Sequence, residues 1–222
     1  MSTVLVLRCV DKERKAYGGF VWPESGPVEA PDWDPSPKCG GGLHGWLKGE
    51  GDAGASGRDI SDGSLLWQVV EVNQEEIVSL DGKVKFPRGV VRFTGARTEA
   101  VERIQAKYPA AAVIFGTATA GDYGTATAGD NGKATAGNYG KATAGNYGTA
   151  TAGYNGTATA GAKGTATAGA KGTATAGDNG VLVLSCWDGN RRRIVVGYVG
   201  EDGIEAGKKY RLDSSHKFEA VP

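Results

Sequence analysis

Residues 117–180 read Thr117-Ala118-Thr119-Ala120-Gly121-Asp122-Tyr123-Gly124, followed by seven more octapeptides of the same form, Thr/Lys-Ala-Thr-Ala-Gly-x-x-Gly, with no insertion. A strict short period marks a solenoid, in which each repeat buries its apolar side only against its neighbours. One octad is too short to close a coil of two strands and two turns, but two octads suffice. The tract therefore predicts four 16-residue coils, stacked at about 4.8 Å per strand. Thr-Ala-Thr-Ala is the strand and Gly-x-x-Gly the turn, with the glycines expected to supply the positive φ.

Two residues fix which way the strands face. The first octad position is Thr six times and Lys twice, at Lys133 and Lys141. An ammonium group cannot be buried unpaired in a core one alanine wide. Position one therefore faces solvent, strand alternation turns the Thr at position three outward too, and both alanines face in. On one edge this reading stacks Asp122-Tyr123, Asn138-Tyr139, Tyr154-Asn155 and Ala162-Lys163. On the other it stacks Asp130-Asn131, Asn146-Tyr147, Ala170-Lys171 and Asp178-Asn179. Tyr123, Tyr139, Tyr154 and Tyr147, with Lys133 and Lys141, are the candidate binding residues, since aromatic side chains are favoured interface anchors. Burying an alanine yields on the order of 1 kcal/mol, so the tract is expected to need caps at both ends, where open strand edges invite aggregation.

The flanks carry the conventional core. Residues 1–116 read as a small α+β domain with strands at 4–9, 19–22, 65–72, 77–80, 83–86 and 90–93, and an Asp81-Gly82 hairpin. A helix capped by Thr98 runs to Tyr108. Residues 23–63 read as a long irregular segment rich in Pro and Gly. Residues 181–222 read as an all-β cap with strands at 181–187, 193–199, 208–212 and 217–221. Residues 181–188 echo 4–11, and Gly197-Tyr198-Val199 echoes Gly19-Phe20-Val21. The echo raises the alternative of a duplicated hairpin flanking the repeat, either paired in one sheet or capping the two solenoid ends, with Cys9 and Cys186 at equivalent buried positions. The fold class is mainly β, with a capped β-solenoid at its centre.

The charge balance, 25 basic against 25 acidic residues, gives no bulk attraction to nucleic acid or an anionic membrane. Three cysteines without CxxC spacing argue against a disulfide framework. No stretch has the length of a signal-peptide core or a membrane span, and the expected setting is the cytoplasm.

The Thr-x-Thr ladder resembles ice-binding proteins, and the Ala-Gly-x-x octad resembles the bacterial ice-nucleation repeat. That resemblance implies a surface of regularly spaced hydroxyls and methyls that orders water. Cys39-Gly40-Gly41-Gly42-Leu43-His44, followed by Lys83-Val84-Lys85, resembles a family of phage and bacterial proteins that join a Cys-x-x-Gly-[Leu/Phe]-His domain to octapeptide repeats and a short β tail. It implies the architecture and a phage-like setting, and brings no assigned activity.

Cys39 and His44 are the pair whose chemistry suits a nucleophile and its base. With Glu71 as an acid, they make a nucleotide- or NAD-using transferase one alternative. Packing of the Gly-Leu-His turn against Trp46 is the structural alternative. A zinc site needs four ligands, and this pair offers two, so no metal and no cofactor is expected. The main functional expectation is a non-enzymatic scaffold that engages a protein partner or a second copy of itself. Transferase chemistry and ice binding are its alternatives.

Overall fold

Near-continuous apolar runs build the centre of the N-terminal sheet, and the computed structural model, which describes residues 2–16 and 18–221, shows how. The chain forms two compact units, Met1–Ile114 and Phe115–Pro222. In the first, β1 (Thr3–Val10), β2 (Gly26–Glu29), β3 (Leu43–Leu47), β4 (Leu66–Asn73), β5 (Val78–Leu80), β6 (Lys83–Phe86) and β7 (Arg88–Gly95) form one sheet. Its strand order is β2-β7-β4-β1-β3-β6-β5, and its pairings are antiparallel. Val6, Val10, Trp22, Val70, Val84, Phe86 and Val91 form one buried cluster of its core.

Four expectations for this unit are corrected. Residues 19–22 form no strand, only a single bridge between Lys15 and Val21. The segment read as irregular contributes β2 and β3. The second of these hides in the sequence because Gly45 interrupts its apolar pattern. That glycine is needed, since a Cβ there would lie 2.4 Å from Val6 Cγ1 and 2.7 Å from the Leu7 carbonyl oxygen. The helix α1 spans Arg97–Lys107, so Thr98 lies inside it, and the N-cap is Ala96 without a side-chain bond. Finally, β1 pairs with β3 and β4, so the echoed segments do not share a sheet.

The octads form the eight strands expected of them: β8 (Thr117–Ala120), β9 (Thr125–Thr127), β10 (Lys133–Ala136), β11 (Lys141–Ala144), β12 (Thr149–Ala152), β13 (Thr157–Ala160), β14 (Thr165–Ala168) and β15 (Thr173–Ala176). Even-numbered strands stack in parallel in one sheet and odd-numbered strands in the other, each in 16-residue register. From Ala126 to Ala176 the inward alanines are buried and form one continuous core. The threonines and both lysines face out.

The β tail extends this solenoid. β16 (Val181–Trp187) adds a fifth parallel rung on β14, Val181 opposite Thr165, with Leu182 and Leu184 taking the inward alanine positions. β17 (Arg192–Tyr198) folds back on β16, while β18 (Lys209–Leu212) closes the other sheet antiparallel to β15 and pairs with β19 (Phe218–Val221). Ile204 and Tyr210 complete this wider end of the core. Cys9 is buried but Cys186 only partly so, which removes their expected equivalence.

The turns overturn the expected role of glycine. Positive φ falls on the second x of each octad, at Tyr123, Asn131, Tyr139, Tyr147, Asn155, Lys163, Lys171 and Asn179, with values between 52° and 60°. No octad glycine has positive φ. From the second coil on, the first glycine of each octad is there because the coils touch. At Gly161, for example, a Cβ would sit 2.7 Å from the Asn146 amide nitrogen and 2.8 Å from the Gly145 carbonyl carbon, one coil below. A Cβ at the second glycine would also meet its own turn, as at Gly164, 2.9 Å from Ala160 Cβ.

Candidate functional site

The broad faces are built from strand alternation and register alone. One sheet aligns Thr117, Lys133, Thr149 and Thr165 beside Thr119, Thr135, Thr151 and Thr167. The other aligns Thr125, Lys141, Thr157 and Thr173 beside Thr127, Thr143, Thr159 and Thr175. Each face therefore holds one uninterrupted Thr column and one broken at its second rung by an exposed lysine. Beyond the break, Thr173 Oγ1 donates to Thr157 Oγ1 at 3.3 Å.

The turn edges are stiffened by a side-chain ladder that runs from coil to coil. Asp122 Oδ1 accepts from the Asn138 amide at 2.7 Å, and Asn138 Oδ1 from the Tyr154 amide at 2.9 Å. Asp130 and Asn146 do the same on the other edge, for the Asn146 and Ala162 amides. These bonds correct the expected edge assignment. A 16-residue step places Ala170-Lys171 above Tyr154-Asn155, where Asn155 donates to the Ala170 carbonyl, and Ala162-Lys163 above Asn146-Tyr147.

Three tyrosines share one edge. Tyr123 and Tyr139 stack with centroids 4.9 Å apart and planes 5° apart. Tyr154 meets Tyr139 edge-on at 5.7 Å, because it occupies the first x rather than the second. Tyr147 lies on the opposite edge, with Lys163 Nζ donating to its hydroxyl at 3.2 Å.

In the N-terminal unit, Cys39 and His44 line one cavity of about 880 Å³. Cys39 is exposed on the glycine loop and His44 sits in β3. Glu71 does not join them. It lies on β4, paired to Arg92 Nε at 3.1 Å, and is absent from the cavity wall. Burial pulls the His44 imidazole down to about 4, helped by Lys83 and Arg8, with a hydrogen bond to the Gly42 backbone acting the other way. His44 is therefore neutral near pH 7.

Sequence reading missed the residues around it. Arg8 reads as an ordinary strand residue, yet it is 7% exposed and its guanidinium lies 3.5 Å over the Trp22 ring. Lys85 is fully buried, its Nζ donating to the Lys38 and Gly40 carbonyls at 2.8 and 3.1 Å, which anchors the loop that carries Cys39. The signal for Arg8 was a positive charge within an apolar strand, whereas Lys85 stands in the quoted Lys83-Val84-Lys85 stretch, which gave no hint of its burial. Among the described residues no group of three His, Cys, Asp or Glu side chains is placed to hold a metal ion, and no helix is long and apolar enough to cross a membrane.

The chain is similar to ice nucleation proteins over about half of its length. It is 37% identical over 111 residues to one from Xanthomonas campestris pv. translucens, covering 49% of this chain and 7% of that protein. It is 40% identical over 104 residues to InaU of Pantoea ananas, covering 46% and 10%, and 36% identical over 100 residues to one from Pseudomonas fluorescens, covering 44% and 8%. The chain thus spans a tenth or less of the length of these curated relatives. No family model and no solved structure matches it.

Proposed function

We propose that the octad solenoid is a water-ordering surface of the ice-nucleation type. The observation that carries this reading is the pair of uninterrupted columns, Thr119-Thr135-Thr151-Thr167 and Thr127-Thr143-Thr159-Thr175, held in strict register. Similarity to ice nucleation proteins supports it. Strand spacing sets the hydroxyls about 4.8 Å apart along each column, on a backbone locked by coil-to-coil hydrogen bonds. Hydroxyls then hold first-layer waters while adjacent methyls restrict their reorientation. Lys133 and Lys141 break the columns of the first octad position, so the third and fourth coils form the longest complete arrays.

Droplet-freezing and thermal-hysteresis measurements on the full chain test this. Thr151→Lys with Thr167→Lys on one face, and Thr159→Lys with Thr175→Lys on the other, are expected to abolish any freezing activity while leaving the circular dichroism spectrum unchanged. Lys133→Thr with Lys141→Thr is expected to raise it. Freezing behaviour identical in all three proteins would dispose of the reading.

The Tyr edge favours a second role, self-association. Tyr123 is 77% and Tyr139 46% exposed although their rings are stacked, so the edge presents a preformed aromatic surface. Such a surface costs little side-chain entropy on docking. Replacing Tyr123, Tyr139 and Tyr154 together by Ser is expected to shift sedimentation toward the monomer. An unchanged sedimentation profile would remove the Tyr edge as the contact.

A further inference from the structure

Arg8, Trp22 and His44 come from three separate segments and converge on the N-terminal cavity. Arg8 Nε, Trp22 Nε1 and His44 Nε2 are each buried without a hydrogen-bond partner among the described residues, three of the five such side-chain atoms found. Buried polar atoms are rarely left unpaired, because an unmade bond leaves the group's loss of hydration uncompensated. That all three residues line the same cavity marks it as a site that a ligand completes.

Charge narrows the class of ligand. Arg8, Arg58 and Lys83 line the cavity against one carboxylate, Asp32, whose Oδ1 is taken by the Gly42 amide at 3.1 Å. None of the three cations forms an ion pair among the described residues. Their hydrogen bonds go instead to backbone carbonyls: Arg8 to His44 and Cys9, Arg58 to Lys15, Lys83 to Ala55. Those bonds fix the cations in place but leave their charge uncompensated. Arg8 and Trp22 offer only donors, since neither a guanidinium nor an indole nitrogen accepts. Burial lowers Arg8 to about 9, with Cys9 opposing and Arg58 assisting, so it remains charged near neutral pH. Trp46 also lines the cavity, whose volume of about 880 Å³ falls in the range of small-molecule sites.

We propose that this cavity binds a small organic oxyanion, a carboxylate or phosphate monoester on a flat apolar body, held by Arg8 and Trp22 with Lys83 and Arg58 supplying the field. The site lies within the N-terminal unit and is independent of the solenoid's role.

Calorimetric titration of the full chain with adenosine monophosphate, benzoate and adenosine tests it, alongside NMR of the Trp22 indole N–H. At least one of the two anions is expected to bind saturably and shift that signal, with uncharged adenosine binding at least 10-fold more weakly than the anion or not at all. Saturation by the nucleotide alone assigns phosphate, and by benzoate alone carboxylate. Arg8→Gln is expected to weaken binding about 10-fold or more, the size of a lost charge-assisted hydrogen bond. Should that buried substitution impair folding, Lys83→Gln at the cavity wall is expected to weaken it several-fold with the fold intact. Absence of saturable binding by both anions, or affinities indifferent to Lys83→Gln and Arg58→Gln together, would overturn the proposal.

Discussion

Replacing Ala150 and Ala158 together by leucine is expected to unfold the Phe115–Pro222 unit at temperatures where the unaltered chain is folded. Both alanines are fully buried, on β12 and β13 of the same coil, and both belong to the continuous alanine core. Parallel strands above and below fix the backbone, so the two sheets cannot spread locally to admit a longer side chain. Overpacking a tight core costs about 1–3 kcal/mol per site, and two neighbouring sites couple unfavourably. Small domains are stable by only about 5–15 kcal/mol, and an alanine core places this one toward the lower end. Loss of β-sheet circular dichroism on heating measures the effect. Trp22, Trp46 and Trp67, all in the first unit, report by fluorescence on whether that unit persists. An unchanged melting curve would mean that the solenoid interior has slack its geometry does not show.

The second large effect separates two roles within one turn. Gly161→Ala is expected to destabilise the unit by about 1–3 kcal/mol, a fall of roughly 5–20 °C in midpoint. Its new Cβ would collide with the Asn146 side-chain oxygen and, at 2.7 and 2.8 Å, with the backbone of Asn146 and Gly145, which cannot swing aside. Asn155→Gly, at a residue with φ of 52°, is expected to stay within about 1 kcal/mol of the unaltered chain, because glycine enters that region without the steric cost an L side chain meets. If glycine served for positive φ, the second substitution would gain far more and the first would fail through torsion rather than contact. Thermal melts of the two variants decide between these accounts. Equal midpoints for both would refute the close-contact role.

The water-ordering proposal also has a geometric limit that follows from the sequence. Four coils give each column four rungs, and the lysines at the second rung leave only two adjacent coils with complete Thr pairs on both faces. The area on one chain is small, and the chain matches a tenth or less of its ice-nucleation relatives. Self-association through the Tyr edge would set several such faces side by side. The two proposals therefore make a joint expectation, that the Tyr-to-Ser variant loses freezing activity along with its self-association.

What the sequence determined by itself was periodic or local. The octad fixes a 16-residue coil because two strands and two turns need two octads, and Lys133 and Lys141 fix the phase because a buried lysine is prohibitive. From those two facts the Ala core, the Thr faces and the strand boundaries follow without any distant contact. Asp81-Gly82 likewise announced its hairpin, since a turn needs only its own residues. The tertiary structure alone decided what depends on neighbours remote in the chain. From Gly137 on, the first glycine of each octad answers to a coil 16 residues away. Gly45 is required by β1, and His44 reaches Arg8 across 36 residues. Arg8 and His44 meet only because the sheet sets β1 beside β3, Trp22 joins them from the segment between β1 and β2, and no spacing along the chain encodes that meeting.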